Sequence, residues 1–174
     1  RDLTTSKVWL LDELAKIKPS ITTVYILGSW YGNLALYMHL TDIVKVKKII
    51  NVETNQKMLD QSERMLDRVG ANNIEYMYKD ANDLDYRQLG MDGAVINCSL
   101  TDMDGENWFK HIPDGTLVVM PASSYGEAIL TSNSFTAGQW DFHWQLPKTG
   151  PTGNVYISNG ANAGYVFSSL TTGP

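Results

Sequence analysis

The stretch that decides the fold is Thr23-Val24-Tyr25-Ile26-Leu27-Gly28-Ser29-Trp30-Tyr31-Gly32-Asn33. It joins an apolar run, which predicts a buried strand, to two glycines that permit a tight turn, and a helical pattern follows over residues 34–40. At such a helix start, free backbone N–H groups and the positive end of the helix dipole attract negatively polarised ligand groups. The stretch therefore predicts a strand, a glycine turn and a helix that hold a nucleotide-type ligand.

Further apolar runs repeat this arrangement and predict four more strands, over residues 48–52, 74–79, 93–97 and 115–120. Helical patterns lie between them, most clearly over residues 56–69, which Asn55 is expected to cap. Shorter helices are predicted over residues 83–89 and 105–111, and residues 45–48 are expected to form a solvated loop. Strands that alternate with helices are the signature of βαβ units, so the predicted fold is α/β with a doubly wound, mostly parallel sheet.

Two of the predicted strands end at carboxylates, Glu53 and Asp80. In an open parallel sheet, ligands bind outside the carboxyl ends of the strands. Glu53 follows Gly28 by 25 residues, close to the spacing of about 20 at which an acidic residue accepts hydrogen bonds from ribose hydroxyls. Both carboxylates are therefore predicted to face one crevice with the glycine turn.

The ends of the chain carry two further patterns. Thr5 or Ser6 is expected to cap a first helix that runs to Ile17 and covers the sheet. Near the C-terminus, the strand-like residues 154–158 and 164–168 are separated by a segment rich in Asn, Gly and Ala, which predicts an antiparallel hairpin. We find no internal repeat, so residues 1–174 are expected to form a single domain.

From about Val24 to Ala122 the chain resembles the class I S-adenosylmethionine-dependent methyltransferases. Their first motif usually reads acidic-x-Gly-x-Gly-x-Gly, and here Ile26 stands at the acidic position and Trp30 at the middle glycine, so the motif is degenerate. The resemblance implies a Rossmann-like sheet of about seven strands, which the C-terminal hairpin completes.

The resemblance also implies a binding site for S-adenosylmethionine. The glycine loop, residues 28–32, would lie against the methionine part. Glu53 would hold the ribose hydroxyls, and Asp80 with Ala81 would meet the adenine edge. The end of the fourth strand would border the transferable methyl group. The cofactor-binding residues predicted in this way are Gly28, Ser29, Trp30, Tyr31, Gly32, Glu53, Thr54, Asp80, Ala81 and Asn97.

Methyl transfer from a sulfonium mainly needs in-line placement of the acceptor, and it needs a base only where the acceptor loses a proton. No catalytic residue is assigned. The amino-methylating members of the family often carry Asp or Asn, two prolines and an aromatic residue at the fourth strand end, and Asn97-Cys98-Ser99-Leu100 departs from that after its first residue. No histidine is placed beside Cys98, and the three histidines lack metal-ligand spacing, so no metal is predicted.

Composition limits the partners and the compartment. A formal net charge of −5 disfavours nucleic acid and leaves a small molecule or a protein as the methyl acceptor. No apolar run approaches the roughly 20 residues that span a bilayer, and the first residues lack a secretory pattern, so a cytoplasmic protein without a membrane segment is expected. A single cysteine excludes an internal disulfide framework.

Other functions fit parts of the pattern. One alternative is a non-catalytic Rossmann-like binding or assembly scaffold, which the substitutions at Ile26 and Trp30 favour. A second is another S-adenosylmethionine-using enzyme, of the lyase or aminopropyl transferase kind. An NAD-dependent oxidoreductase is the third, but residues 28–33 do not match its Gly-x-Gly-x-x-Gly motif.

Overall fold

The computed structural model of the protein describes residues 3–90, 92–99, 108, 111–113, 116–119 and 157–158. Its helices are Leu3–Ile17 (α1), Asn33–Thr41 (α2) and Gln56–Arg68 (α3), and a short 3₁₀ helix covers Ala81–Asp83. Its strands are Ser20–Leu27 (β1), Lys45–Glu53 (β2), Ile74–Tyr78 (β3), Ala94–Asn97 (β4), Leu117–Val119 (β5) and Ile157–Ser158 (β6). Within this described part, no helix has the length and apolar character that crossing a membrane requires.

The strands form one sheet in the order β3-β2-β1-β4-β5-β6. β1 to β5 are mutually parallel, and β6 pairs with β5 in the antiparallel sense. This confirms the predicted α/β, Rossmann-like and mostly parallel sheet. Of the predicted C-terminal hairpin, Ile157–Ser158 is a strand in the structure, and the second arm at 164–168 lies outside the described residues.

Both faces of the sheet are buried. On one face, Val24 and Ile26 of β1 belong to a core cluster with apolar residues from all three helices, including Leu11, Leu34 and Leu66. Successive side chains of a strand point to opposite faces, and on the second face Tyr25 packs edge to face against Tyr86, with ring centroids 5.0 Å apart. Parallel strands buried on both faces appear in sequence as continuous apolar runs, which is why the pattern of β1 was recognisable.

Several element boundaries follow from local hydrogen bonds. The Asn55 side chain accepts a hydrogen bond from the Met58 N–H, which confirms its predicted role as the cap of α3. The predicted cap of α1 was wrong, because that helix begins at Leu3 and both Thr5 and Ser6 lie within it.

Two other local predictions were also wrong. Residues 45–48, expected in a loop, form the start of β2, where exposed and partly buried residues alternate, since the strand extends beyond the sheet core. The helix expected at 83–89 is replaced by the 3₁₀ helix at Ala81–Asp83, because the Asp80 side chain accepts a hydrogen bond from the Asn82 N–H and starts a turn earlier in the chain.

The two glycines after β1 are needed for space as well as for conformation. Gly28 has φ 67° and Gly32 has φ 82°, in the left-handed region that favours glycine. A Cβ on Gly28 would lie 1.9 Å from the Ser99 Oγ, and one on Gly32 would lie 2.8 Å from the Ser62 Cβ of α3. The turn thus brings the end of β1 against Ser99, two residues after β4, and the start of α2 against α3.

We expect Gly28→Ala to lower the free energy of unfolding by about 2–4 kcal/mol, because it adds a steric overlap to the cost of a left-handed alanine. Gly70→Ala is the matched control: Gly70 has φ 77°, but a Cβ added there would meet no atom within 4 Å beyond its chain neighbours. It carries the conformational cost alone, about 1–2 kcal/mol. Urea unfolding of both variants measures the difference, and equal losses would contradict the steric argument.

We expect Tyr86→Phe to destabilise the fold by about 1–2 kcal/mol. The buried Tyr86 hydroxyl donates a hydrogen bond to the Trp108 carbonyl oxygen, and burial raises the pKa of Tyr86, so the phenol stays protonated. Tyr78 is 61% exposed, and Tyr78→Phe should change stability by less than about 0.5 kcal/mol. Thermal unfolding compares the two, and no loss in Tyr86→Phe would rule out a stabilising bond.

Candidate functional site

The carboxyl ends of β1 to β4 border a cleft of about 390 Å³, within the range of about 300–1,000 Å³ that small-molecule sites occupy. Three inter-strand spacings separate β3 from β4, so the cleft extends over roughly 14 Å. This is also where the strand order reverses between β1 and β4, the usual ligand position in doubly wound sheets. The lining residues are Gly28, Trp30, Val52, Glu53, Thr54, Asn55, Met58, Lys79, Asp80, Ala81, Asn82 and Ser99.

Glu53, at the end of β2, lies in the middle of this cleft and is 8% exposed. Its Oε1 accepts a hydrogen bond from the Trp30 N–H at 2.9 Å. Its Oε2 accepts from the N–H groups of Thr54 at 2.9 Å and Asn55 at 3.0 Å. A carboxylate has about four acceptor positions, so Oε1 keeps capacity for one more donor. Glu53 therefore ties the glycine loop to the start of α3 and can still accept a ligand hydroxyl.

The glycine loop donates most of its described amide hydrogens within the protein. The Ser29 N–H donates to the Val52 carbonyl at 3.0 Å and the Gly32 N–H to the Ser29 carbonyl at 2.9 Å, while the Trp30 N–H donates to Glu53. Three of the five amides in residues 28–32 are thus already engaged. The loop has little donor capacity left for a phosphate group.

Trp30 connects the loop to the end of β4. Its indole Nε1 donates to the Ser99 Oγ at 2.9 Å, and the side chain is 49% exposed where it borders the cleft. The backbone of Trp30 has φ 54°, a left-handed conformation that costs a non-glycine residue roughly 1–2 kcal/mol. The hydrogen bonds to Glu53 and Ser99 hold this conformation.

The β3 end of the cleft is formed by Lys79, Asp80, Ala81 and Asn82. The Lys79 N–H donates to the Glu53 carbonyl at 3.1 Å. Asp80 accepts from the Asn82 N–H through Oδ1 at 2.9 Å, which leaves Oδ2 as an acceptor for a ligand. The Asn82 Oδ1 in turn accepts from the Trp108 N–H at 3.0 Å, so this end of the cleft is joined to the second face of the sheet.

Six of the ten predicted cofactor-binding residues line the cleft: Gly28, Trp30, Glu53, Thr54, Asp80 and Ala81. The other four do not border it. Ser29 and Asn97 are buried, with the Asn97 Oδ1 accepting from the Ser99 N–H. Gly32 packs against α3, and Tyr31 is half-exposed outside the lining. These four shape the loop and the strand end.

Sequence reasoning left several lining residues out of the binding site. Asn55 and Met58 belong to the cap and first turn of α3, directly after Glu53, and the rule that ligands contact the βα loops would have found them. Lys79 and Asn82 flank the predicted Asp80-Ala81 pair. Ser99 belongs to the end of the fourth strand, which was predicted to border the transferable methyl group, and its place beside the loop depends on the missing side chain of Gly28.

The structure does not favour Cys98 as a nucleophile. Burial raises the pKa of its thiol, and the Lys7 ammonium lowers it by less, so the reactive thiolate is disfavoured. Among the residues that the structure describes, no group of three or more His, Cys, Asp or Glu side chains is placed to hold a metal ion.

No protein-family model and no curated protein sequence matches the chain. Solved structures are similar to it. A S-adenosylmethionine-dependent methyltransferase from Clostridium acetobutylicum aligns with a TM-score of 0.58 and 15% identity, over 83% of this chain and 63% of that one. A geranyl diphosphate methyltransferase in complex with S-adenosylmethionine aligns with a TM-score of 0.55 and 17% identity, over 67% and 48%.

A phosphoethanolamine N-methyltransferase from Haemonchus contortus, in complex with S-adenosylmethionine, aligns with a TM-score of 0.51 and 16% identity, over 64% of this chain and 27% of that one. This chain therefore spans less than two thirds of the length of each of these three structures. The methyltransferases act on different substrates, so their likeness identifies an architecture and not an acceptor. The protein has the fold of the class I S-adenosylmethionine-dependent methyltransferases.

Proposed function

We propose that the protein binds S-adenosylmethionine in the cleft and transfers its methyl group to a small-molecule or protein acceptor. The observation that carries the proposal is the position of Glu53. Its carboxylate lies at the end of β2, borders the cleft and retains acceptor capacity after bonding to three backbone N–H groups. A carboxylate in this position is suited to a ribose hydroxyl.

The order of the strands supports one arrangement of the cofactor in the cleft. In this arrangement Asp80, Ala81 and Asn82 would hold the adenine ring at the β3 end, and Glu53 would hold the ribose. The sulfonium end would then lie near β1 and β4, where Gly28, Trp30 and Ser99 border the cleft. The transferable methyl group would then lie beside the end of β4.

The charges of the lining favour this cofactor over a dinucleotide. Lys79 is the one basic residue among the described residues of the lining, and it stands with the carboxylates of Glu53 and Asp80. A pyrophosphate is usually held by free N–H groups of the glycine turn, and those of Ser29, Trp30 and Gly32 are engaged. S-adenosylmethionine has no phosphate and carries a positive sulfonium, and its one anionic group is the methionine carboxylate, so it requires fewer basic residues and free N–H groups than a pyrophosphate does.

We expect calorimetric titration of the unmodified protein to give micromolar dissociation constants for S-adenosylmethionine and for S-adenosylhomocysteine. NAD, the control ligand, should give no heat of binding because the cleft offers its pyrophosphate few donors. Absence of binding by both adenosyl compounds would overturn the proposed function in favour of a non-catalytic scaffold. If S-adenosylmethionine binds, the next experiment is a search for methylated products with S-adenosylmethionine that carries an isotopically labelled methyl group.

We expect Asp80→Asn to weaken S-adenosylmethionine binding by about tenfold, the loss that corresponds to a hydrogen bond with a charged group of roughly 1.5 kcal/mol. Asp92→Asn is the control, because Asp92 is also exposed but precedes β4 and so lies at the amino ends of the parallel strands, away from the cleft. Calorimetry gives the affinities, and thermal unfolding checks that both variants fold. Equal affinities in the two variants would remove Asp80 from the site.

A further inference from the structure

We propose that the indole of Trp30, held in place by Ser99, recognises the positive charge of the bound donor, so that the site distinguishes the sulfonium of S-adenosylmethionine from its uncharged thioether product. This inference rests on the proposed function, and it concerns a side chain that stands where the resembling family has a glycine. It assigns Trp30 as a specificity-determining residue.

The Trp30 indole borders the part of the cleft next to β1 and β4. An adenosyl ligand with its base near Asp80 and its ribose at Glu53 occupies the β3 and β2 parts of the cleft. Its 5′ substituent then lies in the β1 and β4 part, where the described lining consists of Gly28, Trp30 and Ser99. Of these three residues, only Trp30 brings a large surface to the ligand.

The part of the cleft next to β1 and β4 has few groups that suit an anion. Its described lining contains no lysine or arginine, since Lys79 lies at the β3 end. The Trp30 N–H is engaged with Glu53, and the Ser99 hydroxyl already accepts the indole N–H. Besides the remaining hydrogen-bonding capacity of the Ser99 hydroxyl, this part of the cleft presents an aromatic ring with a negative face. Such a ring face attracts a cation and disfavours an anion.

A hydrogen bond to Ser99 restricts the orientation of the Trp30 indole. A freely rotating surface tryptophan loses side-chain entropy when it orders against a ligand. Here the 2.9 Å hydrogen bond from Nε1 to the Ser99 Oγ restricts the ring before a ligand binds. The left-handed backbone of Trp30 is maintained by its own bond to Glu53. Unfavourable backbone conformations kept by the surrounding contacts are typical of ligand sites.

The donor and its product differ by one methyl group and one positive charge. Cation–π attraction of about 0.5 to 2 kcal/mol corresponds to an affinity ratio of about two- to thirtyfold. We therefore expect S-adenosylmethionine to bind the unmodified protein by that factor more tightly than S-adenosylhomocysteine. A site of this kind releases its product readily and resists inhibition by it.

The test compares affinities for three ligands in the unmodified protein, three variants of the site and one control variant. Calorimetry measures S-adenosylmethionine, S-adenosylhomocysteine and an analogue with a protonated amine in place of the sulfonium, for the unmodified protein, Trp30→Leu, Trp30→Phe and Ser99→Ala. Trp30→Leu should abolish the preference for both charged ligands, Trp30→Phe should retain part of it, and Ser99→Ala should weaken it because the ring is no longer held. Thermal unfolding verifies that each variant folds.

Tyr78→Leu removes an exposed aromatic residue outside the lining, and it should keep the full preference. Equal affinities for donor and product in the unmodified protein, or a preference unchanged in Trp30→Leu, would overturn the inference while the proposed function stands. If neither adenosyl compound binds the unmodified protein, the proposed function fails, and the assignment of Trp30 fails with it. Each result therefore separates the two proposals.

Discussion

The Glu53 carboxylate is the interaction on which the rest of the site depends. Its three hydrogen bonds with backbone N–H groups join the glycine loop after β1 to the loop that begins α3. Charge-assisted bonds of this kind are about twice as strong as neutral ones, and here they act in a group that is 8% exposed. The same carboxylate that would orient a ribose therefore also builds the wall of the cleft that receives it.

Much of the fold could be predicted from sequence because its strands are buried on both faces. The run over residues 24–27 is apolar throughout and buried. Glycines or carboxylates follow several of the strands, so the sequence indicated both the alternation of strands with helices and the places where strands end. Glu53, Asp80 and Asn55 were found in this way, since strand ends and helix caps are properties of neighbouring residues.

What could not be predicted depends on residues that meet across the fold. Trp30 and Ser99 are 69 positions apart, and no local pattern shows that an indole N–H finds that hydroxyl. Nor does the sequence reveal that Glu53 uses three acceptor positions on the backbone. The start of β2 at Lys45 was missed because its lysines resemble a solvated loop, although an exposed strand end tolerates them equally well.

Because Gly28 lies against Ser99, the effects of substitutions at these two positions depend on each other. Any side chain at position 28 would occupy the space of the Ser99 hydroxyl, so such a change costs less stability once position 99 has lost its side chain. That prior loss would also release the Trp30 indole, whose N–H bonds to the same hydroxyl. The three positions are therefore expected to vary together among descendants of this chain, and substitution at one alone should be rare.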